Sequence, residues 1–256
     1  MTRKETEREL DARIDLFRQR LKDSDDLKVK DDVFDTRTFM NLYALAKKGV
    51  IDALGGSVST GKEANIFSAL KDGSYRAVKI YRISTSDFKA MEGYILGDPR
   101  FGNIKGTRRA VISAWTRKEY RNLLRAEEAG IAVPHPYAIR ENIMVMDFIG
   151  RDGSPAPMLK DVELSLLEAE QVFQKIGDFI SILYKRAQLI HADLSEFNIL
   201  YHEGPVVIDM GQSVTLDHPH ADKFLARDVT NISRFFRKRY GIGSEDDIWN
   251  KIKDQD

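Results

Sequence analysis

HADLSEFNIL, residues 191–200, and VVIDMGQ, residues 206–212, decide how this chain is read. Two short β-prone runs, 198–201 and 206–209, flank His202-Glu203-Gly204, a turn sequence that joins them as a hairpin. The spacing places Asp193 and Asn198 five residues apart on one loop and sets Asp209 at the end of an apolar strand, before Met210 and Gly211. Phosphoryl transfer needs a carboxylate to orient or deprotonate the nucleophile, and oxygen ligands for Mg²⁺. Asp193, Asn198 and Asp209 supply those groups in the order a kinase catalytic loop and metal loop use them. A single such aspartate would ordinarily cap a turn. The whole set with both strands argues against that reading.

Working outward, Ser165-x-x-Glu168 is a capping box opening a helix with Val172, Ile176, Phe179, Ile180 and Leu183 on its buried face. A later helix runs through Ile232, Phe235 and Phe236 and stops at Gly241. Upstream, residues 115–129 read as a helix ending at Gly130, and 143–148 as a strand ending near Gly150. Before them, STGKEANIF and SYRAVKIY read as strands around the Asp72-Gly73 turn, with Gly55 and Gly56 just ahead of the first. A helix through Phe39, Leu42, Tyr43, Leu45 and Ala46 ends at Gly49, and Leu10, Ile14, Phe17 and Leu21 form a narrow apolar stripe near the start. Residues 82–110 carry many glycine and proline breakers and are expected to be a loop that stays mobile until a partner orders it. The expected class is therefore α+β in two lobes. A helical N-terminal extension (1–50) precedes a β-rich lobe (51–146), a hinge (147–150) and a helical lobe (151–256) with the catalytic and metal loops.

Lys79 sits in AVKI, where a lysine is costly unless its head is paired or reaches a ligand. Its expected partner is Glu119, whose alternative is an ordinary solvated helix charge. Gly56-x-x-x-x-Gly61-Lys62 nearly completes a P-loop, but Glu63 stands where Ser or Thr would hold Mg²⁺, and a strand follows instead of a helix. The Walker reading fails. A small hydroxyl-rich turn of Ser57, Ser59, Thr60, Lys62, Glu63 and Asn65 still suits close approach of backbone to phosphates. His218 and His220, lacking a third ligand nearby in sequence, read as surface residues.

Composition narrows the classes further. The 256 residues carry 40 basic and 40 acidic side chains, which argues against nucleic-acid binding by bulk charge alone. The chain has no cysteine, so disulfides, thiolate metal sites and cysteine nucleophiles are excluded. No apolar run reaches the ~20 residues of a membrane span, and the first residues have no secretory h-region. The expectation is a cytoplasmic protein with no membrane partner.

STGKEANIF, HADLSEFNIL and IDMGQSV together resemble the RIO family of atypical serine/threonine protein kinases, and the wording of the first and last resembles its type-one branch. The resemblance spans about residues 35–240. It implies a trimmed protein-kinase fold that binds ATP with Mg²⁺ or Mn²⁺. Lys79, the 57–65 turn and the hinge backbone at Asp147 and Ile149 would hold the nucleotide, with Met146 as gatekeeper. Asp193 would be the base, with Asn198 and Asp209 as metal ligands. It also implies autophosphorylation, ATPase activity, a phosphoaspartate at Asp209, and a role in maturing the small ribosomal subunit, with protein and rRNA contacts on the pre-ribosome. Ser84, Thr85, Ser86 and Thr107 are the expected acceptors within the mobile loop. Two departures from ordinary protein kinases stand out: His191-Ala192-Asp193 lacks the usual arginine, and no Ala-Pro-Glu follows Asp209-Met210-Gly211. Competing expectations are a small-molecule phosphotransferase of the aminoglycoside-kinase type and an ATP-switched ribosome-assembly scaffold.

Overall fold

The computed structural model describes residues 35–84, 91, 93–95, 98, 100 and 107–254. The apolar stripe of Leu10 to Leu21, and Thr85 and Ser86, lie outside them. The chain divides into two units, one holding residues 35–84 and 137–148 and the other the remainder.

In the first unit, helix α1 (Thr36–Lys47) starts at Asp35, whose side chain accepts from Thr38 N. The unit's sheet contains β1 (Ala53–Thr60), β2 (Ala64–Lys71), β3 (Ser74–Tyr81), β4 (Pro136–Arg140) and β5 (Ile143–Asp147). Its strand order is β1-β2-β3-β5-β4. Antiparallel pairing sets Lys79 opposite Ile66 on one side and Met144 on the other. Strand periodicity then separates two faces of β3. Val78 and Ile80 join Phe39, Leu42, Leu45, Phe67 and Val145 in the core beneath α1. Ala77, Lys79 and Tyr81 occupy the opposite face. Buried Asn142 ties helix to sheet, its Nδ2 donating to Thr38 Oγ1 (3.1 Å) and to the Tyr81 carbonyl (2.9 Å). Strand β1 includes Gly55 and Gly56, which the sequence reading placed ahead of it. A Cβ on Gly55 would press on the Ser68 hydroxyl of the neighbouring strand, so a larger residue there needs that hydroxyl to turn aside.

The second unit begins with α2 (Arg108–Glu128) and the hairpin of β6 (Gly150–Arg151) and β7 (Ser154–Pro155). Helix α3 (Leu166–Lys185) follows, with the expected capping box formed and Val172, Ile176, Phe179, Ile180 and Leu183 all buried. Two short pairs come next: β8 (Leu189–Ile190) with β11 (Val214–Thr215), and β9 (Ile199–Tyr201) with β10 (Pro205–Val207). Helices α4 (Ala221–Tyr240) and α5 (Glu245–Lys253) complete it. Helix α5 was not anticipated, although Ser244 and Asp247 form a capping box that the sequence displays.

Two expectations change here. Part of 82–110 is folded: α2 starts at Arg108, residues 93–95 are helical, and Met91, Ile95 and Asp98 are buried. Met91 and Ile95 lie four apart, a helical pair hidden among flanking glycines. Helix α2 was assigned to the β-rich lobe but groups with the second unit. The reason is polar: Lys118 and Asn122 donate to backbone carbonyls of residues 210–213. No helix among the described residues is long and apolar enough to cross a membrane.

Candidate active site

In the first unit, Lys79 is buried, with its ammonium 5.1 Å from the centre of the Tyr81 ring. The turn between β1 and β2 is closed by Gly61 N, which donates to the carbonyl of Ala64 at 3.0 Å and to Asn65 Oδ1 at 3.3 Å. Asn65 is fully buried and shapes the turn from within through its Oδ1, while its Nδ2 has no hydrogen-bond partner among the described residues. Ser59, Thr60 and Lys62 are exposed around it, with Ser57 and Glu63 partly so. Asp147 accepts from the Tyr137 hydroxyl at 2.6 Å.

In the second unit, the loop carrying Asp193 is clamped from α4. Asp228, buried on the inner face of that helix, accepts from Ala192 N and Leu194 N, both at 2.8 Å. Arg227 donates to the Ala192 carbonyl and Asn231 to the Leu194 carbonyl. This clamp holds Ala192 at φ 66°, a left-handed conformation that a non-glycine residue keeps only when its surroundings enforce it. Asn198 Nδ2 donates to the Asp193 carbonyl (2.8 Å) and to Asp193 Oδ2 (3.2 Å). Gln212 Nε2 reaches the same carboxylate oxygen at 3.4 Å.

Asp209 is also left-handed, at φ 61°. Before it, His191 Nε2 donates to the Ile208 carbonyl at 3.0 Å. After it, Gly211 lies where a Cβ would meet Trp115 Nε1 at 2.8 Å. Burial pushes the Asp193 carboxyl above its ordinary range, and the nearby Asp209 charge adds to the rise. The two carboxylates therefore share one electrostatic site. Glu119 on α2 is 1% exposed, which removes its alternative as a solvated helix charge. His218 departs from expectation as well: it is buried against Phe224, and its Nδ1 accepts from His220 N at 3.1 Å.

The donor set suits Mg²⁺. The Asp209 carboxylate and the Asn198 amide oxygen are hard ligands, and the Asn198 Nδ2 is spent on Asp193. No cluster of three or more His, Asp or Glu side chains able to hold a metal occurs among the described residues. Such sparse ligation fits an ion that keeps several waters and shares substrate phosphates.

Asp228 was missed in the sequence, and its weight is testable. Burial pushes its carboxyl from 3.8 up to about 6, against the pull of its two backbone hydrogen bonds. Asp228→Ala leaves two buried N–H groups without an acceptor, and should cost about 1–3 kcal/mol for each in urea unfolding. The native state keeps the Asp228 proton to a higher pH than the unfolded chain does. Its contribution is thus greatest below pH 3.8 and falls as pH rises through about 6. The stability advantage of wild type over Asp228→Asn should shrink across that window; an advantage that grows instead would contradict the assignment.

Comparison with known proteins follows the same lines. A family model described as the RIO domain matches residues 65–247. The RIO-type serine/threonine-protein kinase Rio1 of Haloferax volcanii is 45% identical over 247 residues, covering 96% of this chain and 84% of that protein. Rio1 of Methanocaldococcus jannaschii is 48% identical over 216 residues, covering 84% and 73%. The human serine/threonine-protein kinase RIO1 is 42% identical over 239 residues, and the chain spans 42% of its length. Among solved structures, a Rio2 kinase–ADP/Mg²⁺–phosphoaspartate complex from Chaetomium thermophilum matches 85% of this chain and 67% of that one, with a TM-score of 0.60 at 23% identity. That likeness bears on the fold.

Proposed function

The chain belongs to the RIO family of serine/threonine kinases, and from that premise we propose that it is an ATP- and Mg²⁺-dependent enzyme acting both as a protein kinase and as an ATPase. The observation that carries this reading is the joint placement of Asp193, Asn198 and Asp209 on two loops of one unit, with Asp209 itself and Ala192 beside Asp193 held in left-handed backbone conformations. Asp193 orients the acceptor hydroxyl or water and takes its proton. Asn198 and Asp209 hold Mg²⁺, which when bound neutralises charge on the transferring phosphoryl group. Mn²⁺ has the same hard-ligand preference and is expected to substitute.

Lys79 grips the nucleotide phosphates and Glu119 balances its charge. The turn at Ser57, Ser59, Thr60, Lys62 and Glu63 approaches the phosphates, and the backbone at Asp147 and Ile149 meets the base. The Ile149 carbonyl already accepts from Ala156 N at 2.9 Å, so its N–H is the group assigned to adenine. Autophosphorylation falls on hydroxyls of the 84–107 segment, of which Ser84 and exposed Thr107 are described. The physiological partner is the pre-ribosomal small subunit in the cytoplasm, a reading that rests on the resemblance to the RIO family.

Lys79→Ala tests the nucleotide assignment. Hydrogen bonds to a charged group are worth about 1.5–3 kcal/mol, so ATP binding should weaken by roughly ten- to hundredfold while thermal unfolding stays cooperative. Undiminished ATP binding and turnover by that variant would overturn it.

A further inference from the structure

Helix α2 presents Trp115, Lys118 and Asn122 at three- and four-residue spacing, along one face, to the residues that follow Asp209. The Lys118 side chain is fully buried and donates to the carbonyls of Gly211 (2.8 Å) and Ser213. Asn122 Nδ2 donates to the carbonyls of Met210 (2.9 Å) and Ser213 (3.1 Å). The Trp115 indole fills the space beside Gly211. This grip has its own support: Asn122 Oδ1 accepts from Arg100 Nη2 at 3.0 Å, and Arg100 makes a forked pair with buried Asp98, whose nearest contact is 2.6 Å.

Burial penalises the Lys118 ammonium, pushing it down to about 7, and Asp98 offsets part of that cost. A fully buried lysine spent on main-chain carbonyls does not improve the apolar core. What it does is fix the path of residues 210–213. The preceding residue in that path, Asp209, holds a left-handed conformation that relaxes unless both sides are anchored, and His191 anchors only the Ile208 side.

We propose that Lys118 and Asn122 are positioning residues for the metal site, holding Asp209 in its ligating conformation by capturing the carbonyls of Met210, Gly211 and Ser213. The proposal rests on the reading of Asp209 as a Mg²⁺ ligand. It makes α2 and the Asp98–Arg100 pair part of the apparatus that sets metal affinity, although none of them touches the metal.

The test is Mn²⁺ binding to the protein–ADP complex, read from the electron paramagnetic resonance signal of the free aqua ion. It is done for Lys118→Met, Asn122→Ser and Asp209→Asn alongside wild type. Groups that orient a metal ligand typically cost 10–100-fold in affinity when removed. Both positioning variants should therefore bind Mn²⁺ roughly tenfold or more weakly, yet keep wild-type affinity for metal-free ADP. Their kcat should also recover at saturating Mg²⁺, which a general loosening of the unit would not allow. If Lys118→Met does not fold, Asn122→Ser carries the test by itself. Unchanged Mn²⁺ affinity in a folded positioning variant, with Asp209→Asn strongly impaired, overturns this proposal and leaves the metal assignment standing. Unchanged affinity in Asp209→Asn overturns the metal assignment and this proposal with it.

Discussion

Asp193→Asn should lower the rate of phosphoryl transfer from bound ATP by roughly 10²–10⁴-fold, the usual worth of a positioned base, while ATP affinity changes little. The substitution keeps the shape of the side chain and leaves one oxygen to accept from Asn198, so the loop has no reason to rearrange. What it removes is the proton acceptor. The structure favours a base at this position for two reasons. The clamp of Asp228, Arg227 and Asn231 on the flanking Ala192 and Leu194 fixes where the carboxylate sits. Burial and the neighbouring Asp209 raise its proton affinity toward the working range of a general base. Single-turnover measurement with prebound ATP separates the steps. A variant that loses ATP binding but transfers phosphate normally once loaded would assign Asp193 to the nucleotide and not to the chemistry.

The parts of this site that are legible in the sequence are those whose chemistry is crowded into a few residues. Asp193, Asn198 and Asp209 stand within two short motifs, and the strands between them carry β-prone residues and a turn, so order and spacing survive in one dimension. Lys79 is legible for a different reason: a charge interrupting an apolar strand violates the pattern around it. The supports are less visible, since their partners are main-chain groups distant in sequence. Asp228 binds amides 34 and 36 residues away, and Lys118 binds carbonyls 93 and 95 residues away. No local spacing encodes such pairs. A weaker signal was present, in that Asp228 falls on the apolar face of its helix beside Leu225, Val229 and Ile232. Lys118, Glu119 and Asn122 likewise interrupt the buried stripe of α2 formed by Val111, Ile112, Trp115 and Leu123. Polar residues on the buried side of an amphipathic helix deserve the same suspicion as a lysine in a strand. Helix α2 groups with the second unit, and these polar residues bind it to the carbonyls of residues 210–213.

Trapping the enzyme during turnover should yield a hydroxylamine-labile phosphate on Asp209. The motive is the path of the chain after Gly211. Residues 214–215 pair at once with 189–190, His218 is buried against Phe224, and α4 begins at Ala221. That leaves no length for an activation segment and no platform for a peptide there, so a carboxylate beside the nucleotide becomes an available acceptor. The chemistry balances without an added reagent. A carboxylate oxygen of Asp209 bonds to the γ-phosphorus while the bond from that phosphorus to the bridging oxygen breaks, and ADP departs with the electron pair. Water then attacks the acyl phosphate, its proton passes to Asp193, and the leaving carboxylate is Asp209 restored. Once phosphorylated, Asp209 holds Mg²⁺ differently, so the second step should be slow and the covalent state should accumulate. Mass spectrometry should map the label to Asp209, and Asp209→Asn should abolish it together with most ATP turnover. Phosphate that resists hydroxylamine and sits wholly on serine or threonine would mean that water or a hydroxyl attacks ATP directly, with Asp209 serving only the metal.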